Sequence, residues 1–510
     1  MTTYTYGQGT TITVANTDVS SPTIYVYNYD VNNNSIIPIN GQNYVTVKGG
    51  SSTNIALPAL TSTNQSTYSS AGLYFSQSRL QNSLEAGSLP DIGNPSVDGN
   101  IPFTEFEYAY VQPNAPYVLG GLNPDFTAVD AFSYPIQWSV TDPNQNSGAG
   151  ETYTWGLGGT AQYNKQGAEL SALDLLRAWM AATPFTNPST VKKTPQTTTD
   201  NLIWQDTSGL NNNRIVGPSK LWSYGSGGSA SLPAAFPAEY TTFINQYPYN
   251  GAQLAEAGAF GSTDSSSPQN NDGWQSATPT QMGGTGIDNG YTYCMQQTAS
   301  QLGGITSSAV SFQQVNGVYQ QILPNQGGGG FQGFYTYPQE NILGGITYLA
   351  DQVTTTINVG PLSTSTTIGT GDQDRIIGTD DSDVISGGYN GDRLTGQPAK
   401  TGSSPSGLDA ASGSLHRKAS DVYLYLRADS SLHGRGLRDV ITDFHKNDIC
   451  DLASMDANTQ KPGNQAFQWI GTAAFKGKGG ELRIDYRPSG NAFLQGDVGG
   501  NSKADFESKM

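Results

Sequence analysis

The chain has 510 residues, a formal net charge of −17, two cysteines and three histidines. Residues 1–368 carry 8 Lys+Arg against 22 Asp+Glu, and no basic residue lies from Trp222 through Asp374, which argues against nucleic acid and anionic membranes as partners. His416, His433 and His445 all fall late, so the first 415 residues hold no Ser-His-Asp triad, Cys-His pair or histidine zinc site, and Cys294 and Cys450 offer no disulfide framework.

The N-terminus, Met1-Thr2-Thr3-Tyr4-Thr5-Tyr6-Gly7, has neither a basic start nor an apolar core, so no signal peptide is expected there. No run reaches the length of a membrane-spanning helix, and no membrane insertion is expected. The length leaves room for two to four domains. Strand-like alternation begins at Thr23-Ile24-Tyr25-Val26-Tyr27-Asn28-Tyr29 and returns at Gly72-Leu73-Tyr74-Phe75-Ser76 and at Pro102 to Tyr110. In the last run side chains two apart share a face, so Glu105 and Glu107 project together while Phe106, Tyr108 and Tyr110 face the other way.

A further strand candidate, Phe126 to Phe132, carries Asp130 among apolar neighbours. Acids are disfavoured inside strands, so three in two neighbouring segments call for a reason. Two carboxylates across a groove can hydrolyse a glycosidic bond: one protonates the leaving oxygen while the other activates water or attacks the sugar. On pattern alone, the same acids read equally as edge-strand solubilisers or structural partners.

Beyond these strands, Ala168 to Met180 places Leu170, Leu173, Leu176 and Met180 at helical spacing, and Pro233 to Tyr247 does so with Phe236, Tyr240, Phe243 and Tyr247; both read as packing helices. The Gly327 to Gly330 run lacks a following Lys-Ser/Thr and is a loop, not a phosphate cradle. Val353 to Ile368 reads as a linker or a last strand. The Thr, Ser, Asn, Gln, Gly and Tyr content of this region suits a neutral polymer such as a glycan.

Three nonapeptides follow in one register, opening at Gly369, Gly378 and Gly387. Each has Asp at its sixth place (Asp374, Asp383, Asp392), an aliphatic residue at its eighth (Ile376, Ile385, Leu394) and Asp or Asn at its fourth (Asp372, Asp381, Asn390). Glycine and Asn/Asp supply turns and hard oxygen donors while the aliphatic half packs inward, the pattern of a calcium-binding parallel β-roll. These six acids and amides are the candidate metal ligands, with calcium the expected structural cofactor. Turns two repeats apart stack in such a roll, pairing Asp374 with Asp392. The partner of Asp383, eighteen residues on, would fall at Lys400-Thr401-Gly402, which predicts one good site and weaker others. Cys450 is expected to pack in the core, and Cys294 to be a buried small apolar residue.

Two resemblances add to this reading. Ile24-Tyr25-Val26-Tyr27, Ser69 to Ser76 with Leu80, Phe103-Thr104-Glu105-Phe106, Thr127 to Phe132 with Pro135, Arg214-Ile215-Val216-Gly217-Pro218 and Phe236-Pro237-Ala238-Glu239-Tyr240 follow in the order found in glycoside hydrolase family 64. That family comprises secreted bacterial β-1,3-glucanases related in fold to thaumatin-like proteins. The resemblance implies Glu105 as general acid and Asp130 as general base in an inverting attack of water, the carboxyls roughly 6.5–9.5 Å apart. Glu107 stands where the family has Thr, and Asn123-Pro124-Asp125-Phe126-Thr127 where it has Trp-x-Asn-x-Thr, so Glu107 and Thr127 are candidate substrate-binding residues.

From Ala419 onward, Ser420-Asp421-Val422-Tyr423-Leu424-Tyr425, Arg438 to Phe444, Asp451-Leu452, Gly480-Glu481-Leu482-Arg483, Gly496-Asp497-Val498 and Ala504-Asp505-Phe506 resemble the secretion module of serralysin proteases. This implies export by a type I secretion transporter and an extracellular location.

The expected fold is mainly β: a thaumatin-like β-barrel or sandwich over 1–145 with the catalytic carboxylates, a mixed α/β lobe over 146–368 completing the groove, and a C-terminal parallel β-roll with its secretion module over 369–510. The expected function is an endo-β-1,3-glucanase acting on cell-wall β-1,3-glucan. A glucan-binding thaumatin-like protein without turnover and a calcium-dependent adhesive surface protein remain open alternatives.

Overall fold

The computed structural model describes residues 7–18, 23–59, 68–90, 95–99, 101–111, 121–125, 131–143, 150–156, 160–162, 169–182, 215–216, 298, 301–302, 311–315, 318–322, 351–362, 367–369, 373–379, 381–397, 420–462 and 464–510. The protein is mainly β, with several sheets and, among the described residues, very few helices. It divides into two compact units: 1–160 with 171–173 and 201–363, and 364–510 with 161–170 and 174–200. Among the described residues no helix is long and apolar enough to cross a membrane.

The first unit's main strands are β1 (Thr10–Asn16), β2 (Ile24–Asp30), β3 (Ser35–Ile36), β4 (Val45–Val47), β5 (Ser51–Leu57), β6 (Tyr68–Ser76), β7 (Phe103–Val111), β8 (Gly121–Asp125), β9 (Ala131–Phe132), β10 (Ile136–Asp142) and β11 (Glu151–Gly156), and all of these but β9 fall in two larger sheets. One sheet runs β11-β10-(Thr354–Val359)-β1-β5, so the Val353 to Ile368 stretch supplies a central strand that lies parallel to β1. The other runs β3-β2-β6-β7-β8, with β4 also on β2. β9 pairs with Ile215–Val216 in a ribbon of its own.

Alternation decides which residues go inside. Ile12, Val14, Ile136, Val140, Ile357 and Val359 from the first sheet are buried, as are Val26, Leu73, Phe75, Phe106 and Tyr108 from the second. The Phe106 and Trp138 rings meet edge to face at 5.5 Å, tying β7 to β10. Asn40-Gly41 makes a tight turn with φ of 51° and 77° at the two positions, while Ile39 and Gln42 exchange both backbone hydrogen bonds at 2.9 Å. Both positive φ values suit this Asn-Gly pair.

Ala172–Ala182 is an α-helix buried on every side that is described, including Leu173, Leu176, Asp174 and Arg177. Asp174 and Arg177 form an internal ion pair at 3.2 Å. Leu170 sits on the short strand Glu169–Ser171 just before this helix. Pro233 to Tyr247, the Gly327 to Gly330 run and Cys294 lie outside the described residues.

The second unit is a parallel roll. Arg375–Ile377, Arg393–Thr395 and Asp439–Ile441 stack in one parallel sheet, and Val384–Ile385, Val422–Leu424 and Ile449–Asp451 in another. Ile376, Ile385, Leu394, Tyr423, Tyr425, Ile441, Met455, Leu494 and Phe506 fill its interior. A single rung buries almost nothing, so the stack is the stabilising unit. Glu481–Tyr486, Ala492–Asp497 and Phe506–Lys509 close the end as an antiparallel extension. Cys450 packs beside this core, and burial pushes its thiol above the ordinary range, which leaves it unreactive.

Candidate functional site

Glu105 lies in the middle of β7, half-buried, on the side of the six-stranded sheet that faces away from the sandwich interior. Antiparallel register sets Tyr74 of β6 directly opposite it and Gly72 opposite Glu107. The next row on β2 is Tyr27 opposite Tyr74 and Tyr29 opposite Gly72. Cross-strand neighbours share a face, so the carboxylates stand at one edge of a field of tyrosines. Glu107 is exposed, and Asp125 of β8 lies opposite it in register.

The Tyr74 hydroxyl donates to Glu105 Oε1. Its ring is buried, met edge-on by Tyr29 at 6.4 Å and by the tilted ring of Phe103 at 6.1 Å. Gly72 makes this pairing possible: a Cβ there would lie 2.9 Å from Glu105 Oε1 and 2.9 Å from the Tyr74 ring. No side chain larger than hydrogen fits without moving one or the other.

The far side of the same face is closed. Leu80 and Leu84 from the segment after β6 cover Tyr27 and Tyr29. Tyr27 donates to Glu85 Oε1 at 2.8 Å and accepts from the Leu80 N–H at 3.0 Å. Arg79 grips both Glu85 oxygens, at 3.1 and 2.5 Å, and lies over the Tyr44 ring at 5.2 Å. That guanidinium holds the Glu85 carboxylate below its ordinary range, while burial raises the Tyr27 hydroxyl. This cluster therefore reads as a structural clamp that fixes the tyrosine field from which Glu105 projects. Asp130 and Thr127 lie outside the described residues.

In the roll, the aspartates form two ladders. The Asp374 N–H donates to Asp392 Oδ1 at 2.7 Å, and the Asp392 N–H to Asp439 Oδ1 at 2.9 Å. On the opposite side the Asp383 N–H donates to Asp421 Oδ1 at 3.0 Å, and the Asp421 N–H to Asp448 Oδ1 at 3.1 Å. Asp383 thus finds its partner 38 residues on, not eighteen. The expectation that it lacks one fails because the second sheet takes its next rung from Val422–Leu424. Asp421, Asp439 and Asp448 carried a readable signal. Each stands two places before an inward side chain, Tyr423, Ile441 and Cys450, the same spacing as Asp374 to Ile376.

Asp381 is exposed, and Asn390 adopts a left-handed turn at φ 82°. Asp372 lies outside the described residues. Among the described residues no three His, Cys, Asp or Glu side chains converge as a cage. Oxygens do converge in another way: Asp374 Oδ2 and the Gly387 carbonyl crowd the place of the missing Gly369 Cβ, and Asp383 Oδ2 and the Gly396 carbonyl do so at Gly378. One carboxylate and one carbonyl per turn is a donor set of hard oxygens.

Electrostatics point the same way. Asp392 Oδ2 is buried without a hydrogen-bond donor. Burial, then the Asp439 charge, pushes the Asp392 carboxyl far up, and burial raises Asp439 as well. Asp421 is raised to about 6 by burial and its acidic neighbours. Stacked carboxylates that resist ionisation fit a divalent cation.

No protein-family model matches the chain, and no curated protein matches it. Among solved structures it is similar to a laminaripentaose-producing β-1,3-glucanase in complex with laminaritetraose, at 19% identity and a TM-score of 0.28, over 47% of this chain and 60% of that one. It is also similar to a β-1,3-glucanase domain (GH64) from Clostridium beijerinckii, at 17% and 0.26, over 51% and 64%. A third is a GH family 64 laminaripentaose-producing β-1,3-glucanase from Paenibacillus barengoltzii, at 15% and 0.36, over 70% and 76%. The chain spans less than two thirds of the first two proteins, and the likeness to all three is faint.

Proposed function

We propose that this protein is a secreted endo-β-1,3-glucanase that cleaves cell-wall glucan with inversion, Glu105 acting as general acid and Asp130 as general base. The observation that carries the reading is the setting of Glu105: half-buried, held by a buried tyrosine, and beside an exposed second carboxylate on an aromatic face. A structural surface acid needs none of this support. The ordered sequence blocks around Glu105 and Asp130 supply the reaction class.

In the reaction Glu105 gives its proton to the glycosidic oxygen as the C–O bond breaks. Asp130 takes a proton from the water that attacks the anomeric carbon from the opposite face. The acid ends ionised and the base protonated, and exchange with solvent resets both. Glu107 and Thr127 are the proposed contacts for substrate hydroxyls. The acidic, His-poor domain suits a neutral polysaccharide, since an anionic one would be repelled.

The roll is the proposed calcium-dependent stabilising and export module. Asp374, Asp383, Asp392 and Asp421, with the Gly387 and Gly396 carbonyls, are the groups that would hold the ion, which would neutralise the stacked carboxylates and lock successive turns together. Reading by a type I transporter rests on the C-terminal sequence blocks.

The test is incubation of the calcium-loaded protein with linear β-1,3-glucan, following reducing ends and the anomer first formed by NMR. Release of α-anomeric products supports the assignment. Glucan binding without new reducing ends would overturn the enzyme reading in favour of a binding protein.

A further inference from the structure

We propose that Tyr74 is the positioning residue for Glu105: its hydroxyl claims Oε1, so the carboxyl presents its proton to substrate on Oε2. This rests on the reading of Glu105 as general acid. A carboxylic acid carries its proton on one oxygen at a time, and which oxygen decides whether the proton faces the scissile bond. A hydroxyl donating to Oε1 disfavours protonation there and fixes the torsion of the carboxyl group.

Three features make this a built arrangement. The Tyr74 ring is immobilised, buried between Tyr29 and Phe103, so its hydroxyl has one place to point. The register that puts it opposite Glu105 is continuous from Ala71 to Ser76, beginning after the irregularity between Tyr68 and Ala71. Gly72 keeps the space above the pair clear, since a methyl group there would strike both partners. A tyrosine whose role were only packing would need neither the hydroxyl contact nor the vacancy.

Glu107 shares the face two residues along β7, and Asp125 lies opposite Glu107 on β8. The Tyr74 hydroxyl is the donor from β6 that stabilises the Glu105 anion. Removing it takes away that donor, which raises the pKa of Glu105 and loosens the orientation of its carboxyl.

The experiment compares the full chain with Tyr74→Phe and Gly72→Ala, each checked for folding by circular dichroism. The expected result for Tyr74→Phe is a fall of about tenfold in kcat on linear β-1,3-glucan with KM little changed, and an alkaline limb of the kcat profile moved to higher pH. Gly72→Ala is expected to lower kcat in the same direction by displacing the carboxyl. Unchanged kcat and pH profile in Tyr74→Phe would overturn the proposal.

A second readout needs no turnover: the Glu105 carboxyl carbon, followed by 13C NMR titration in the parent and in Tyr74→Phe, should titrate at higher pH in the variant. If the parent hydrolyses no glucan, the enzyme reading fails while this shift still decides whether Tyr74 governs the carboxyl. Identical titrations would sink the role of Tyr74 whatever the activity. Should Tyr74→Phe not fold, Gly72→Ala tests the same geometry through kcat and the same titration.

Discussion

The backbone N–H of Asp392 donates to Oδ1 of Asp439, 47 residues further along the chain, at 2.9 Å. The same bond links Asp374 to Asp392, Asp383 to Asp421 and Asp421 to Asp448. Each rung of the roll is therefore tied to the next by a side chain as well as by the strand ladder. The arrangement also brings acidic groups together in a buried interior, a liability that only protons or a cation remove.

This liability has a sign in pH. The Asp392, Asp439 and Asp421 carboxyls are raised above the ordinary 3.8, the last to about 6. Between the unfolded and folded values the folded state binds more protons, so their contribution is complete below about pH 4 and is lost as pH rises through the folded values. Calorimetry in chelator should show the roll transition falling in Tm from pH 5 to pH 8. Added calcium should flatten that dependence, and an unchanged slope would speak against cation binding at the ladders.

Asp421→Asn should separate the two roles of that carboxylate. In chelator at pH 8 the variant is expected to melt at or above the parent, because one buried charge is gone. With calcium it should gain less Tm than the parent, since one hard ligand is missing. Equal calcium gains would remove Asp421 from the ion-binding groups.

Glu105→Gln and Asp130→Asn are isosteric and should fold. Loss of the acid or the base is expected to cut kcat by about 10²–10⁴ while glucan binding persists. Reducing-sugar assays beside a glucan pull-down measure both. A Glu105→Gln protein with parental kcat would require another acid.

Inside the roll, Ile385 is fully buried in the core, whereas Ile377 of the neighbouring rung is 40% exposed. Ile385→Ala should cost about 2–5 kcal/mol through lost burial and the cavity left behind. Ile377→Ala should stay within about 0.5 kcal/mol, as a surface change. Chemical denaturation of the calcium-loaded protein measures both, and equal costs would contradict the inward and outward assignment.

Local periodicity by itself determined a good deal here. The nine-residue register placed Ile376, Ile385 and Leu394 in the interior, because a turn-strand repeat leaves the alternate side chain no other place. Alternation along 103–110 put Glu105 and Glu107 on the face opposite Phe106, Tyr108 and Tyr110, for the same two-residue reason. Neither inference needed a partner strand.

Partners are what the tertiary structure decided. Nothing near Asp383 announces that Asp421 is its neighbour, because parallel rungs pair through space and the spacing here breaks the nine-residue period. Tyr74 and Gly72 looked like ordinary strand residues. Only the cross-strand register brings that hydroxyl to Glu105 and makes the missing Cβ necessary. A sequence fixes the direction of each side chain through local geometry, whereas the identity of what it meets depends on closure of long loops and on strand register, which are properties of the whole sheet.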